Sequence, residues 1–198
     1  MAENQFLPLA VAAAEAAGIP PQLFLGLIQT ESGFTAGLVS RAGAIGLGQV
    51  MPVWARNPEY SAAIGMPGLT VEALHDPETN LTAAARILAS ELKRFNGSWE
   101  LAAMAYNAGA GAVRKAMSVA GTSDPAIVST KLPAAETRAY WQKVLNWSNV
   151  FANKMGAAQA SIENATVETV ENIKGGGFAA PLIMVFLALG GLFLMVRK

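Results

Sequence analysis

Glycine and proline divide the start of this chain in a way that strongly restricts its fold. An Ala-rich stretch over residues 7–17 ends at Gly18, and Pro20 and Pro21 follow at once. Glycine commonly ends a helix in the left-handed conformation, and proline is favoured in the first turn of the next helix. The pattern therefore predicts two helices in close succession, the second running to about Glu31.

The remaining sequence is also typical of helices. Gly-rich residues 33–44 predict a loop, residues 45–55 a short helix, and residues 56–80 an irregular excursion. No alternating strand pattern exceeds a few residues, and there is no internal repeat. The fold class is therefore expected to be all-α. Further helices are expected at about 78–95, 98–108, 109–119 and 134–154, with Asp76, Ser98 and Pro133 marking three of the starts.

Composition excludes several classes of function. The 198 residues carry 14 basic and 14 acidic side chains, a net charge of +0, with no long basic run. Binding nucleic acid requires clustered Lys and Arg, so nucleic acid is not expected as a partner. The absence of cysteine excludes a disulfide scaffold and thiol catalysis. The single histidine, His75, is expected in an ordinary loop or helix-cap role, and we expect no metal and no cofactor.

The C-terminal segment differs sharply from the rest. Residues 178–196 contain no charged or strongly polar side chain, and a helix needs about 20 such residues to cross a bilayer core. A buried core helix is the alternative, although such helices usually keep a polar face. We expect a single transmembrane helix, with Arg197 and Lys198 on the positive-inside face and the globular domain opposite.

Two further segments complete the expected organisation. Residues 1–155 form the globular domain, and Glu3 stands where a secretory signal would carry positive charge. Residues 156–177 place Ile162 and Ile173, among others, at helical spacing before three consecutive glycines. We expect a short amphipathic stalk helix and a flexible hinge. The apolar stripe could pair with a second copy, lie against the domain or membrane, or belong to a simple spacer.

Four groups of polar and glycine positions occur in order along the expected domain. Glu31 opens the sequence ESGF, and Ser40 follows nine residues later. The other groups are AGAIGLGQVMP at 42–52, AYNAG at 105–109 and LPAAETRAY at 132–140. Together they resemble the catalytic domain of lytic transglycosylases, the goose-lysozyme-like enzymes that cut peptidoglycan glycan strands. The resemblance covers roughly residues 5–150.

The resemblance implies a lysozyme-like helical domain and a reaction that consumes no water. In the family, one glutamate protonates the bond between N-acetylmuramic acid and N-acetylglucosamine, and the substrate's acetamido group helps to stabilise the cation. The same glutamate then deprotonates the C6 hydroxyl, which closes a 1,6-anhydro ring. Two alternatives are a goose-type muramidase that hydrolyses with water, and a structural or channel-forming assembly protein with a vestigial glycan-cutting domain.

Glu31 is the residue expected to carry this acid–base chemistry. A free glutamate has a pKa of about 4.3, whereas an acid that protonates a leaving oxygen must stay protonated near neutral pH. The helix C-terminus and the apolar neighbours Ile28 and Phe34 would each raise the pKa of Glu31. No motif explains a second carboxylate. The acids available by type are Glu59, Asp76, Glu78 and Asp124.

The resemblance assigns supporting roles to other motif positions. Ser40 and Gln49 would hydrogen-bond the sugar or its N-acetyl group, and Met51 would line a subsite floor. Tyr106 would hold the Glu31 carboxyl group or the acetamido group.

Three further positions match the family pattern. Asn107 would bond the loop or the glycan, with a left-handed helix cap as the alternative. Tyr140 would pack near the cleft and Glu136 would buttress it, although Glu136 could equally be a helix-start acid. Asn80 matches a position that ties a helix start to a loop. The four tryptophans could stack on sugars, but buried packing is the default for most of them: Trp54, Trp99, Trp141 and Trp147.

The place of action follows from the implied substrate. Peptidoglycan lies outside the bacterial inner membrane, yet no cleavable signal is visible. One route is carriage in a phage particle, with delivery while the genome enters the cell. The other is a bacterial secretion or conjugation apparatus, with residues 178–196 as targeting signal and anchor. We expect the virion, because a tail-anchored chain without a signal suits passive delivery, and other virion or secretion proteins as possible partners.

Overall fold

The structure is a computed structural model that describes residues 5–174, without the side chains of Glu136, Ile162 and residues 164–174. Over this range the chain is helical, and β-structure is limited to isolated bridges, which confirms the all-α prediction. The helices are α1 (Leu7–Ala16), α2 (Pro21–Glu31), α3 (Val53–Arg56), α4 (Pro58–Ala63), a 3-10 turn (Ala73–His75), α5 (Pro77–Arg94), α6 (Trp99–Ala108), α7 (Ala110–Ala120), α8 (Pro125–Thr130) and α9 (Ala135–Lys174).

The predicted helix boundaries at glycine, proline and polar caps are confirmed. Gly18 has a left-handed φ of 68°, and its N–H donates to the Glu15 carbonyl at the end of α1. Pro21 lies in the first turn of α2, where a missing N–H costs no hydrogen bond. The side chains of Asp76 and Ser98 accept hydrogen bonds from first-turn N–H groups of α5 and α6.

The predicted short helix over residues 45–55 is wrong. Ile45 instead forms isolated antiparallel bridges with Val39 and Val50, and the helix that follows, α3, begins only at Val53. Left-handed φ angles of 74° at Gly46 and 46° at Gln49 turn the chain back on itself. The carbonyl of Ile45 accepts from the Val50 N–H and from the Asn80 side chain, so helix formation is not needed to pair it.

Three more helical elements were not expected from the sequence. The excursion at 56–80 contains α4 and the 3-10 turn, and α8 was not predicted at all. The signal for α8 is present in the sequence, because Asp124 precedes Pro125 and its carboxylate accepts a hydrogen bond from the N–H of Ala126. Such a pair is a typical helix start.

The last helix is longer than expected. The helix expected at about 134–154 continues without interruption to Lys174, through the residues predicted as a stalk. Its residues are mostly exposed after Phe151. Among the helices within residues 5–174, none has an apolar stretch long enough to span a bilayer. The glycine hinge at 175–177 and the predicted transmembrane helix at 178–196 lie outside the described residues.

The core brings the C-terminal end of α2 against the start of α9. These two helices have the most extensive packing of any pair in the described chain. A Cβ atom at Gly26 would lie 2.5 Å from the Val144 carbonyl oxygen and 2.7 Å from the Ser148 nitrogen. The helices therefore cross at backbone contact, which only glycine allows. A second, smaller apolar cluster joins α6, α7 and α8.

Candidate active site

Glu31 is the last residue of α2 and is partly exposed. The helix ends there because Gly33 and Phe34 take left-handed φ angles of 57° and 63°. At a helix C-terminus the backbone dipole presents partial negative charge, which disfavours an ionised carboxylate. Ser32, the next residue, donates a hydrogen bond to the Leu47 carbonyl at 2.7 Å. Ser32 thus links the end of α2, next to the acid, to the loop that carries the motif AGAIGLGQVMP.

Tyr140 contacts the Glu31 carboxyl group directly. Its hydroxyl donates to Glu31 Oε1 at 2.5 Å, across 109 residues of sequence. Tyr140 is 5% exposed, and burial, followed by the charge of Glu31, raises its pKa well above the usual 10.0. It therefore remains a protonated donor throughout the neutral range. The first residue of the first motif and the last residue of the last motif are thus brought together.

Tyr106 belongs to the same polar group but bonds a different partner. Its hydroxyl donates to the Gly48 carbonyl at 2.7 Å. Burial of this hydroxyl raises the pKa of Tyr106 well above 10.0, with the charge of Glu31 as a second cause. Tyr106 is therefore within electrostatic reach of the acid, while its proton is directed towards the loop.

The loop that carries Ser40 and Gln49 is held by its own side chains. Ser40 Oγ accepts a hydrogen bond from the Ala44 N–H at 3.0 Å. Gln49 Nε2 donates to the carbonyls of Leu38 and Gly46, at 3.1 and 2.8 Å. The hydroxyl proton of Ser40 and the Oε1 atom of Gln49 have no partner among the described residues. Each residue therefore holds the loop with one side-chain atom, and another polar atom of the same side chain is not used within it.

Asn80 fixes the loop to α5 from inside the protein. The side chain is 1% exposed, accepts from the Gly48 N–H at 2.8 Å and donates to the carbonyls of Ile45 and Leu74 at 2.8 Å each. The expected tie between helix start and loop is thus present. Gly48 faces α5, because an added Cβ would lie 2.4 Å from that of Ala84.

The other expected site residues lie around this core with differing exposure. Met51 is 41% exposed and borders a recess next to the loop. Asn107 is exposed near the end of α6, just before Gly109 with a φ of 81°. Glu136 lies in the first turn of α9, and its side chain is not described. Among the tryptophans, Trp147 is 41% exposed, whereas the other three pack partly buried against the core.

A second catalytic carboxylate does not emerge from the acids that the sequence offered. Asp76 and Asp124 cap α5 and α8, and Glu59 and Glu78 lie in the first turns of α4 and α5. Within residues 5–174 no group of three His, Cys, Asp or Glu side chains could hold a metal ion. The geometry therefore offers one carboxyl group, with a tyrosine donor on it, beside a loop with unused polar atoms.

Sequence inspection missed two contributors to this geometry. Gly26 permits the close crossing of α2 and α9, and Ser32 links the acid to the loop. Ser32 adjoins Glu31 and so could have been found from sequence. Gly26 could not, because its partners on α9 lie more than 100 residues away.

Comparison with known proteins places this arrangement in context. Residues 8–128 match the family described as Transglycosylase SLT domain. Membrane-bound lytic murein transglycosylase C of Yersinia pestis (strain Pestoides F) is 32% identical over 162 residues, covering 71% of this chain and 45% of the relative. The chain thus spans less than half the length of that curated relative.

Solved structures show the same fold. An inactive mutant of lytic transglycosylase Slt from Pseudomonas aeruginosa is 31% identical with a TM-score of 0.64, over 75% of this chain and 24% of that one. The 70 kDa soluble lytic transglycosylase from Escherichia coli is 28% identical with a TM-score of 0.66, at the same coverage. These similarities confirm the helical, lysozyme-like fold.

Proposed function

Because this chain belongs to the transglycosylase SLT domain family, we propose that it cleaves the glycan strands of peptidoglycan by lytic transglycosylation. The bond broken is the β-1,4 link between N-acetylmuramic acid and N-acetylglucosamine. The observation that carries the proposal is the hydrogen bond from Tyr140 to Glu31, because it joins the two ends of the motif series at one carboxyl group.

Glu31 acts first as the acid. Its proton passes to the glycosidic oxygen as the bond to C1 of the muramic acid opens. The acetamido oxygen of the same sugar bonds to C1 and takes up the positive charge, so that no protein nucleophile is required. A mechanism without a protein nucleophile agrees with the structure, in which Asp76 and Asp124 cap helices.

Glu31, now a carboxylate, then acts as the base. It takes the proton of the C6 hydroxyl, the C6 oxygen attacks C1, and the acetamido oxygen leaves. The product is a 1,6-anhydro sugar, and the enzyme regains its starting protonation state without using water. Tyr140 contributes by holding the carboxyl group and by stabilising its charged form between the two steps.

The loop residues bind the substrate around this centre. Ser40 and Gln49 hydrogen-bond the sugar or its N-acetyl group through the hydroxyl proton and Oε1, while Met51 forms part of the subsite floor. Tyr106 positions the loop through Gly48. Asn107 and Glu136 stand at the margins, one binding the glycan and the other supporting Tyr140.

The test is mass spectrometry of purified peptidoglycan digested by the full chain. Wild type should yield 1,6-anhydromuramic ends. The Glu31→Gln variant should lose at least about 100-fold in rate, as expected for removal of a general acid–base group. Glu15→Gln, at an exposed site on α1, is the matched control and should keep full activity.

Other products would change the conclusion. Products with reducing ends would show that the protein is a muramidase, which hydrolyses the bond with water. An absence of products from a folded wild-type chain would favour the structural role in an assembly.

The proposal extends to where the enzyme acts. Residues 1–155 form the catalytic domain, 156–177 a stalk and hinge, and the uncharged residues 178–196 a membrane anchor. The anchor holds the domain beside peptidoglycan, in a phage particle whose genome must pass the cell wall. Mass spectrometry of purified particles tests the virion role. Extraction of membranes with alkaline carbonate tests the anchor, since deletion of 178–196 should release the chain.

A further inference from the structure

A recess of about 520 Å³ opens beside the substrate loop. Its apolar wall includes Val39, Met51 and Val53, which are 52%, 41% and 46% exposed. Arg56 and His75 border the same space. The volume is within the range of small-ligand sites, and large apolar side chains this exposed are an unusual cost unless something covers them. None of the catalytic steps above uses this recess.

A cationic side chain, that of Arg56, borders the recess. Arg56 is the last residue of α3 and is exposed. Its guanidinium group has no hydrogen bond or ion pair with any residue among 5–174. The neighbouring Asn57 side chain is already used, because it accepts a hydrogen bond from the Glu59 N–H at the start of α4. An occupant must therefore offer apolar groups to the wall and an anion to Arg56.

The position of the recess relates it to the glycan. Met51 lines it and is also the residue expected at a sugar subsite. Val39 lines it too, between Leu38, whose carbonyl accepts from Gln49, and Ser40. A branch that left the glycan at this subsite would enter the recess. In peptidoglycan each muramic acid carries such a branch, a short peptide rich in alanine with free carboxylates.

We propose that this recess binds the stem peptide of peptidoglycan, with a peptide carboxylate on Arg56 and alanine methyl groups against Val39, Met51 and Val53. The inference rests on the proposed function for its substrate. It makes the chain selective for glycan that still carries peptides over denuded strands. A planar guanidinium group suits this task, because it can bind a carboxylate through two parallel hydrogen bonds.

The experiment compares two substrates on the full chain. One is soluble, uncrosslinked glycan with its stem peptides, and the other is the same material stripped by an amidase. Arg56→Gln should lower kcat/KM about tenfold on the peptide-bearing strands, mainly through KM, as expected for loss of a charge-assisted hydrogen bond. The rate on stripped strands should not change. Arg41→Gln, at an exposed arginine of the same loop that does not line the recess, should alter neither rate.

A titration with the free tetrapeptide, followed by NMR, provides a readout besides activity. Wild type should bind it, and Arg56→Gln should bind about tenfold more weakly. An equal loss on both glycan substrates would overturn the inference and make the recess a further sugar subsite. No loss on either substrate would overturn it as well. If wild type cut neither substrate, the proposed function would fail, and the titration alone would decide whether the recess binds peptide.

Discussion

The acid and the loop that faces it are held in place by different means. Glu31 and Tyr140 meet because α2 and α9 pack at backbone contact around Gly26. The loop over residues 38–50 also packs into the core, through Ile45, Leu47 and Val50, but it forms no helix. Its backbone is held in addition by hydrogen bonds from its own side chains and by the buried amide of Asn80, which together form a polar clamp.

This difference predicts how each region fails. The packed contact between α2 and α9 resists small changes, but a displacement at one point moves the whole contact. A polar clamp stabilises only while every partner is present, since each buried group left without one costs free energy. Damage to the helix crossing should therefore appear in the chemical step. Damage to the clamp should appear in stability and substrate binding.

The largest effect is expected from Asn80→Ala. The change removes three buried hydrogen bonds and leaves the Gly48 N–H and the Leu74 carbonyl without them, while the Ile45 carbonyl keeps its bond from the Val50 N–H. At about 1–3 kcal/mol for each of the two unsatisfied groups, partly relieved by water, the free energy of unfolding should fall by about 2–4 kcal/mol. Urea unfolding followed by tryptophan fluorescence measures it.

Two further variants isolate the clamp. Asn146→Ala, at an exposed site on α9, should stay within about 0.5 kcal/mol of wild type. Asn80→Asp can still accept from the Gly48 N–H, but it places a buried carboxyl group against the Ile45 and Leu74 carbonyl oxygens, so it should lose at least as much stability as Asn80→Ala. If Asn80→Ala lowered the free energy of unfolding by less than about 1 kcal/mol, the buried Asn80 amide would not be what holds the loop.

Gly26→Ala tests the helix crossing and should rank second. Its new methyl group would overlap the Val144 carbonyl, and overpacking typically costs about 1–3 kcal/mol. Because α2 must shift from α9, Tyr140 and Glu31 should separate and kcat should fall. The anhydro-product assay and urea unfolding measure the two effects.

Gly156→Ala is the matched control for this change. Gly156 lies in α9 with nothing within 4 Å of an added Cβ. The same substitution there should stabilise the helix by up to about 1 kcal/mol and leave kcat alone. If both variants behaved alike, glycine content and not the crossing would explain the result.

The sequence predicted the parts of this molecule that depend on neighbouring residues. Gly18, Pro21, Asp76 and Ser98 mark helix ends because caps act within one turn. Local signals of the same kind placed Glu31 at the end of α2.

Long-range contacts explain what the sequence did not predict. A short helix was expected from Ile45, but the Ile45 carbonyl accepts from the Val50 N–H and from Asn80, 35 residues away. Tyr106 was expected to act on Glu31 or the substrate, and its hydroxyl lies on Gly48, 58 residues away. The recess beside Arg56 likewise depends on how the 3-10 turn folds back towards the loop. No local pattern encodes such partners.

The two tyrosines offer a finer comparison of the regions. Tyr140→Phe removes the donor to Glu31 and should lower kcat about tenfold, since hydrogen bonds to charged groups contribute about 1.5–3 kcal/mol. Tyr106→Phe removes the donor to the Gly48 carbonyl. It should cost about 1 kcal/mol of stability and raise KM more than it lowers kcat.

Steady-state kinetics and urea unfolding on both variants measure this split. The pH profile of kcat should shift for Tyr140→Phe and not for Tyr106→Phe, because the Tyr140 hydroxyl bonds the acid whereas that of Tyr106 bonds Gly48. Matching changes in kcat, KM and pH profile would mean that the two tyrosines support one structure and that the acid and the loop are not held independently.

The smallest effect is a loss of stability in alkali. Burial raises the pKa of Tyr106 and Tyr140 well above 10.0 in the folded protein, whereas tyrosines of the unfolded chain ionise near 10. Above that pH the folded state binds more protons than the unfolded state, so stability falls as pH rises. The stabilising contribution of each tyrosine is fully present below about pH 9. At pH 10 the free energy of unfolding should be lower by about 0.4 kcal/mol per tyrosine.

Urea unfolding between pH 8 and 10.5 measures how steeply the free energy of unfolding falls with pH. This slope should be smaller in the Tyr106→Phe/Tyr140→Phe double variant. Tyr60→Phe, at a tyrosine 44% exposed, should retain it. An unchanged slope in the double variant would mean that neither hydroxyl is as buried as the Glu31 site requires.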